Sequence, residues 1–76
     1  MEKVLRILEE IRPEFDFRNS NNFIQNGFLD SFDIIILVTV LEESLNISIN
    51  GTEIIPENFK DIEAINKLIL KCGGIA

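Results

Sequence analysis

The stretch Asn26-Gly27-Phe28-Leu29-Asp30-Ser31-Phe32-Asp33 sets a single serine hydroxyl between a turn former and two acids. Gly27 supplies a backbone free to take positive φ. Asp30 is of the residue type that caps a helix start, and Asp33, three positions on, stands where a capping box places its second acid. Ser31 is thereby predicted to lie in a first helical turn, with its hydroxyl exposed and oriented for modification. The unpaired N–H groups and positive dipole end of such a turn favour an attached phosphate.

Other site chemistries are poorly supplied. The chain has no histidine, which removes Ser-His-Asp and Cys-His catalysis and the usual zinc sites. Cys72 is the only cysteine, so no internal disulfide forms, and beside Gly73-Gly74 it reads as an incidental thiol. One serine without a base has no means of activation, and the chain is read as non-enzymatic. Asn46-Ile47-Ser48 and Asn50-Gly51-Thr52 match the glycosylation sequon by chance.

Composition bounds the rest. A chain of 76 residues, of which 46% are hydrophobic and 26% charged, is ordinary for one globular domain spanning residues 1–76. A domain this small buries only about 60% of its unfolded surface, leaving room for one core and no active-site cleft. The net charge of −6, from 13 acidic and 7 basic side chains, opposes binding to nucleic acid, whose affinity comes largely from Lys and Arg. Partners with basic patches are expected instead. Met1-Glu2-Lys3-Val4 lacks a signal peptide's apolar stretch, and no segment approaches the roughly 20 apolar residues of a membrane span. A monomeric, cytoplasmic protein is expected.

Three main helices and one short one must position the serine. Val4, Ile7, Leu8 and Ile11 fall at i, i+3, i+4 and i+7, an amphipathic helix that Pro13 stops. Arg12 to Gly27 reads as a long loop of turn formers, tied to the core by Phe15, Phe17 and Phe23. The β-branched run Ile34 to Leu41 imitates a buried strand, and Asn46 to Ile54 imitates a hairpin. The cap at Asp30 and the polar residues Glu42, Glu43 and Ser44 favour one helix from about Ser31 to Leu45 instead, with Ile34, Leu37, Val38, Leu41 and Leu45 as its core stripe. Pro56 starts a short turn through about Phe59. Asp61 begins a last helix with Ile62, Ile65, Leu68 and Ile69 on one face, ended by Gly73-Gly74.

Asp30-Ser31-Phe32, with Gly27-Phe28-Leu29 before it and Ile55-Pro56-Glu57-Asn58-Phe59 and Asp61-Ile62-Glu63-Ala64-Ile65 after it, resembles the pattern of acyl carrier proteins from about Val4 to Leu70. The resemblance implies an all-α, four-helix carrier bundle with a long loop between the first two helices. It also implies 4′-phosphopantetheine esterified to Ser31, with Asp30 assisting recognition by a phosphopantetheinyl transferase. The side of the second helix bearing Phe32, Asp33, Ile35, Ile36, Thr39, Glu42 and Glu43 would then meet partner enzymes, either synthases or an acyl-activating ligase. Carriers of fatty-acid synthesis are usually acidic beyond the serine, where this chain has Ile35 and Ile36. Gly27 lies four residues before Ser31, a spacing that resembles stand-alone aminoacyl carriers, such as D-alanyl carriers, loaded by a dedicated adenylating ligase. The rival from another class is a helical interaction module that uses Phe32, Ile35 and Ile36 with Ser31 unmodified.

Overall fold

Three α-helices form, each burying an apolar stripe, and the second and third begin at capping aspartates. In the computed structural model, which describes residues 2–74, α1 spans Glu2–Ile11, α2 spans Ser31–Leu45 and α3 spans Ile62–Lys71. Two single 3-10 turns, Gly51–Glu53 and Pro56–Phe59, lie between α2 and α3, and no strand occurs among the described residues. The expected all-helical class is thus observed. The short fourth element is a 3-10 turn, and the turn at Gly51–Glu53, fixed by the Asn50 carboxamide accepting from the Thr52 N–H at 3.0 Å, is an addition to the expected set.

Caps decide α2 against its β-branched composition. Asp30 holds its start, and Asn46 ends it in the left-handed region at φ 54°, its N–H donating to the Glu42 carbonyl. Asparagine is among the few residues that adopt this conformation readily. Between the caps, Ile34, Leu37, Val38 and Leu41 are buried, and that burial outweighs the few tenths of a kcal/mol per residue by which β-branched side chains disfavour helix. Leu45, expected in the same stripe, is half-buried.

One core gathers all three helices. Val4, Ile7 and Leu8 of α1 and Ile65, Leu68 and Ile69 of α3 join the α2 stripe, with Leu29, Ile49 and Phe59 contributed by connecting segments. Gly74 closes the described chain against this core. A methyl group there would stand 2.8 Å from Ile69 Cγ2 and 2.9 Å from Ile47 Cγ2, so any side chain would force these neighbours to shift.

The connection from residue 12 to residue 30 is folded onto the core by aromatic packing. Phe17 and Phe23 are fully buried and meet edge to face at 5.0 Å, while Phe15 stacks on Phe28 at 4.4 Å. The Phe23 N–H donates to the Lys60 carbonyl at 2.6 Å, and the Phe23 carbonyl accepts from Phe28 and Leu29. Arg18 reaches back to Glu2 and Glu9 of α1. Exposed ion pairs contribute at most about 1 kcal/mol each, whereas a buried phenylalanine contributes about 1.5–3 kcal/mol, so the rings hold the loop. The radius of gyration, 11.0 Å, is close to the about 11.4 Å of a compact chain of this length.

Truncation tests the face assignment. Leu37→Ala and Leu41→Ala are each expected to cost about 2–5 kcal/mol of unfolding free energy, and Val38→Ala somewhat less. Unchanged denaturant midpoints for both leucine variants would contradict the assignment.

Candidate functional site at the start of the second helix

The approach to Ser31 is fixed residue by residue. Gly27 takes φ +78°, which any side chain would strain, and so turns the chain back beneath Phe23. Leu29 is buried and anchors the next step. Asp30 then adopts an extended conformation, φ −109° and ψ −176°, as an N-cap requires. Its Oδ1 accepts from the Asp33 N–H at 2.9 Å, and its own N–H donates to Asp33 Oδ2 at 3.2 Å. This is a complete capping box.

The box is clamped from outside by the residue that follows α1. Arg12 Nε donates to Asp33 Oδ2 at 2.9 Å, its Nη2 lies 3.5 Å from Asp30 Oδ2, and its Nη1 lies 3.1 Å from Glu14 Oε2. Asp33 is the one buried charged residue among the described residues, and Arg12 supplies the partner that a buried carboxylate needs. The Asp33 N–H, and after it the Arg12 charge, hold the Asp30 carboxyl below the usual carboxylate range. The Asp33 and Glu14 carboxylates hold the Arg12 guanidinium above its ordinary value.

Ser31 is the first residue of α2 and is exposed. Asp30 does the capping, so the serine hydroxyl is not committed to the helix end. The other serines differ in setting. Ser44 lies in the last turn of α2, where the dipole is negative, while Ser20 and Ser48 lie outside helices. Ser31 alone combines exposure with a helix start. A phosphodiester on its Oγ fits this position, since an exposed first-turn residue leaves room and the adjacent N–H groups favour an anion. Two surface depressions are lined by residues of α3 and of the segments around Pro56 and Asn22, and Ser31 borders neither. An arm attached to the exposed Ser31 would start outside both.

The residues expected on the partner side divide into three groups. Phe32, Ile35 and Ile36 are 70%, 60% and 36% exposed, and Thr39 and Glu43 are exposed with them. Glu42 is half-buried, its carboxylate accepting from the Ile49 N–H at 2.9 Å, so it ties the segment after α2 to the helix. Asp33 closes the expected capping box and lies inward. It is only 5% exposed and serves Arg12 and the Asp30 N–H instead of a partner. Arg12 itself was not anticipated as a site residue. It stands 21 positions from Asp33, beyond any local spacing rule. Among the described residues no group of histidine, cysteine, aspartate or glutamate could hold a metal ion, and no helix is long and apolar enough to cross a membrane.

No family model, curated protein or solved structure matches the chain.

The depressed Asp30 carboxyl gives a signed pH dependence. Its folded value lies below the unfolded value of about 3.9, so its contribution is full above that pH and is lost as the pH falls through the folded value. Glu2, held down by Arg18, and Asp16, held down by Asn19, act in the same direction. Melting temperature followed by circular dichroism should fall below about pH 4. Asp30→Asn keeps a capping acceptor but not the charge, and its decline should be shallower. Parallel declines would contradict the assignment.

Proposed function

We propose that the chain is a carrier domain: Ser31 bears 4′-phosphopantetheine, and the helices present the attached acyl or aminoacyl group to successive enzymes. The observation that carries this reading is the exposed serine opening α2, free of the capping role that Asp30 performs. The group would supply a flexible arm whose terminal thiol holds the cargo as a thioester. The chain supplies the acceptor oxygen, the folded start of α2 and a recognition surface.

Attachment would form a phosphodiester at Ser31 Oγ as the pyrophosphate bond of coenzyme A broke, the nucleotide half leaving as its bisphosphate. The hydroxyl proton would pass to the phosphopantetheinyl transferase. Asp30 and Asp33 are poor bases for it, because both already accept N–H groups and the Asp30 carboxyl is held low. Activation therefore belongs to the transferase, with the exposed Asp30 carboxylate available for its recognition. The resemblance to the carrier pattern, the four-residue spacing from Gly27 to Ser31 and the exposed isoleucines favour an aminoacyl carrier served by a dedicated adenylating ligase.

The exposure of Phe32, Ile35 and Ile36 also favours a second reading, an interaction module with Ser31 unmodified. Incubation with a transferase and coenzyme A separates the two. The carrier reading expects the intact mass to rise by one phosphopantetheinyl group, and Ser31→Ala to fold normally and gain nothing. Wild-type protein that gains no mass, or a Ser31→Ala variant that does, would reject it.

Recognition by the loading enzyme is expected to rest on apolar contact. Burying Ile35 and Ile36 contributes a few kcal/mol by area, while exposed charge pairs give under about 1 kcal/mol and weaken with salt. Loading should therefore persist at moderate salt and drop in Ile35→Glu. Abolition by salt together with indifference to Ile35→Glu would assign recognition to charges such as Glu43.

A further inference from the structure

Where α1 ends and α2 begins, one cation serves three carboxylates. Arg12 is the only cation within ion-pair distance of Asp33, Asp30 and Glu14 among the described residues. The Asp33 side chain is 7% exposed, so its charge is not dispersed by water, and its Oδ2 receives both the Arg12 Nε–H and the Asp30 N–H. Ser31 follows Asp30 directly. An anion attached there adds negative charge to a helix start that already holds Asp30 and Asp33, and like charges in such proximity oppose one another. Opposition at this point acts on the capping box, since both of its hydrogen bonds end on those two carboxylates.

We propose that Arg12 is a positioning residue, the counter-charge that keeps the start of α2 folded when position 31 carries an anion. It touches neither the acceptor oxygen nor the cofactor, and it acts through Asp33 and Asp30. By spanning both acids it holds the capping box closed and leaves the first-turn N–H groups in place for the new charge. The identity of that anion as a phosphopantetheinyl phosphodiester rests on the carrier reading. The charge requirement does not.

A double-mutant cycle isolates it without any transferase, so its result is independent of whether Ser31 is modified. Ser31→Asp places a fixed charge at the position, and Ser31→Asn is the neutral control of similar shape. The two are compared by thermal melting with Arg12 present, in an Arg12→Gln background and in an Arg12→Lys background. The aspartate variant should melt lower relative to the asparagine variant by at least about 4 °C more with Arg12→Gln than with Arg12 present, the scale of shift a small domain shows for one modest interaction. Arg12→Lys should restore most of that difference, which a purely structural fork to Asp33 would not do. Equal differences in the Arg12 and Arg12→Gln backgrounds, or Arg12→Lys behaving as Arg12→Gln, would overturn the proposal. If Arg12→Gln does not fold, the carboxylate of Ser31→Asp with Arg12 retained is titrated by NMR. A midpoint at or below about 3.9 supports the counter-charge, and one clearly above it overturns it.

Discussion

One carboxylate oxygen, Asp33 Oδ2, accepts both from Arg12 at the end of α1 and from the Asp30 backbone at the start of α2. That shared acceptor joins the two helices at their connected ends and turns the intervening segment into a closed loop. Phe15, Phe17, Phe23 and Phe28 then fill the loop with ring contacts. The arrangement is costly to half-dismantle. Removing Arg12 alone leaves a buried carboxylate without its cation, an outcome usually far worse than the pair's own net contribution.

The same constraint fixes which side of α2 faces water. Asp33 begins the inward stripe that continues through Ile34, Leu37, Val38 and Leu41. With that register set, Phe32, Ile35 and Ile36 must emerge on the outside, next to Ser31. The exposed parts of Phe32, Ile35 and Ile36 gain no burial in the isolated fold, so their clustering beside the candidate acceptor accords with a surface kept for contact. Thr39, one turn beyond Ile35, donates its hydroxyl to the Ile35 carbonyl at 3.0 Å and is exposed.

What was legible in the sequence was what local rules govern. Asp30 and Asp61 mark helix starts through their own side chains, and Val4, Ile7, Leu8, Ile65, Leu68 and Ile69 betray their faces by spacing. For α2 propensity pointed to a strand, while the Asp30 cap and the polar residues Glu42, Glu43 and Ser44 pointed to a helix, and the structure adds an unanticipated C-cap at Asn46. The place of Asp33 in the capping box was legible from its spacing to Asp30, but its pairing with Arg12 and the role of Glu42 were not, since each depends on a partner brought close only by folding: Arg12 for Asp33, and the Ile49 N–H for Glu42. An acid on the rim of an apolar stripe reads as solvent-facing until its cation is in place. The turn at Gly51–Glu53 escaped for the opposite reason. It is three residues long and set by a single Asn50 side chain, too short for any periodicity.

The central claim is that this fold singles out one hydroxyl. The chain offers Ser20, Ser31, Ser44 and Ser48, and Ser20 is the one among them that is not exposed, so accessibility alone does not choose Ser31 over Ser44 or Ser48. Fragmentation mass spectrometry of the chain after reaction with a phosphopantetheinyl transferase and coenzyme A locates the added group directly. The account predicts a single modified residue, Ser31. A group found on Ser44 or Ser48, or spread over several serines, would contradict it.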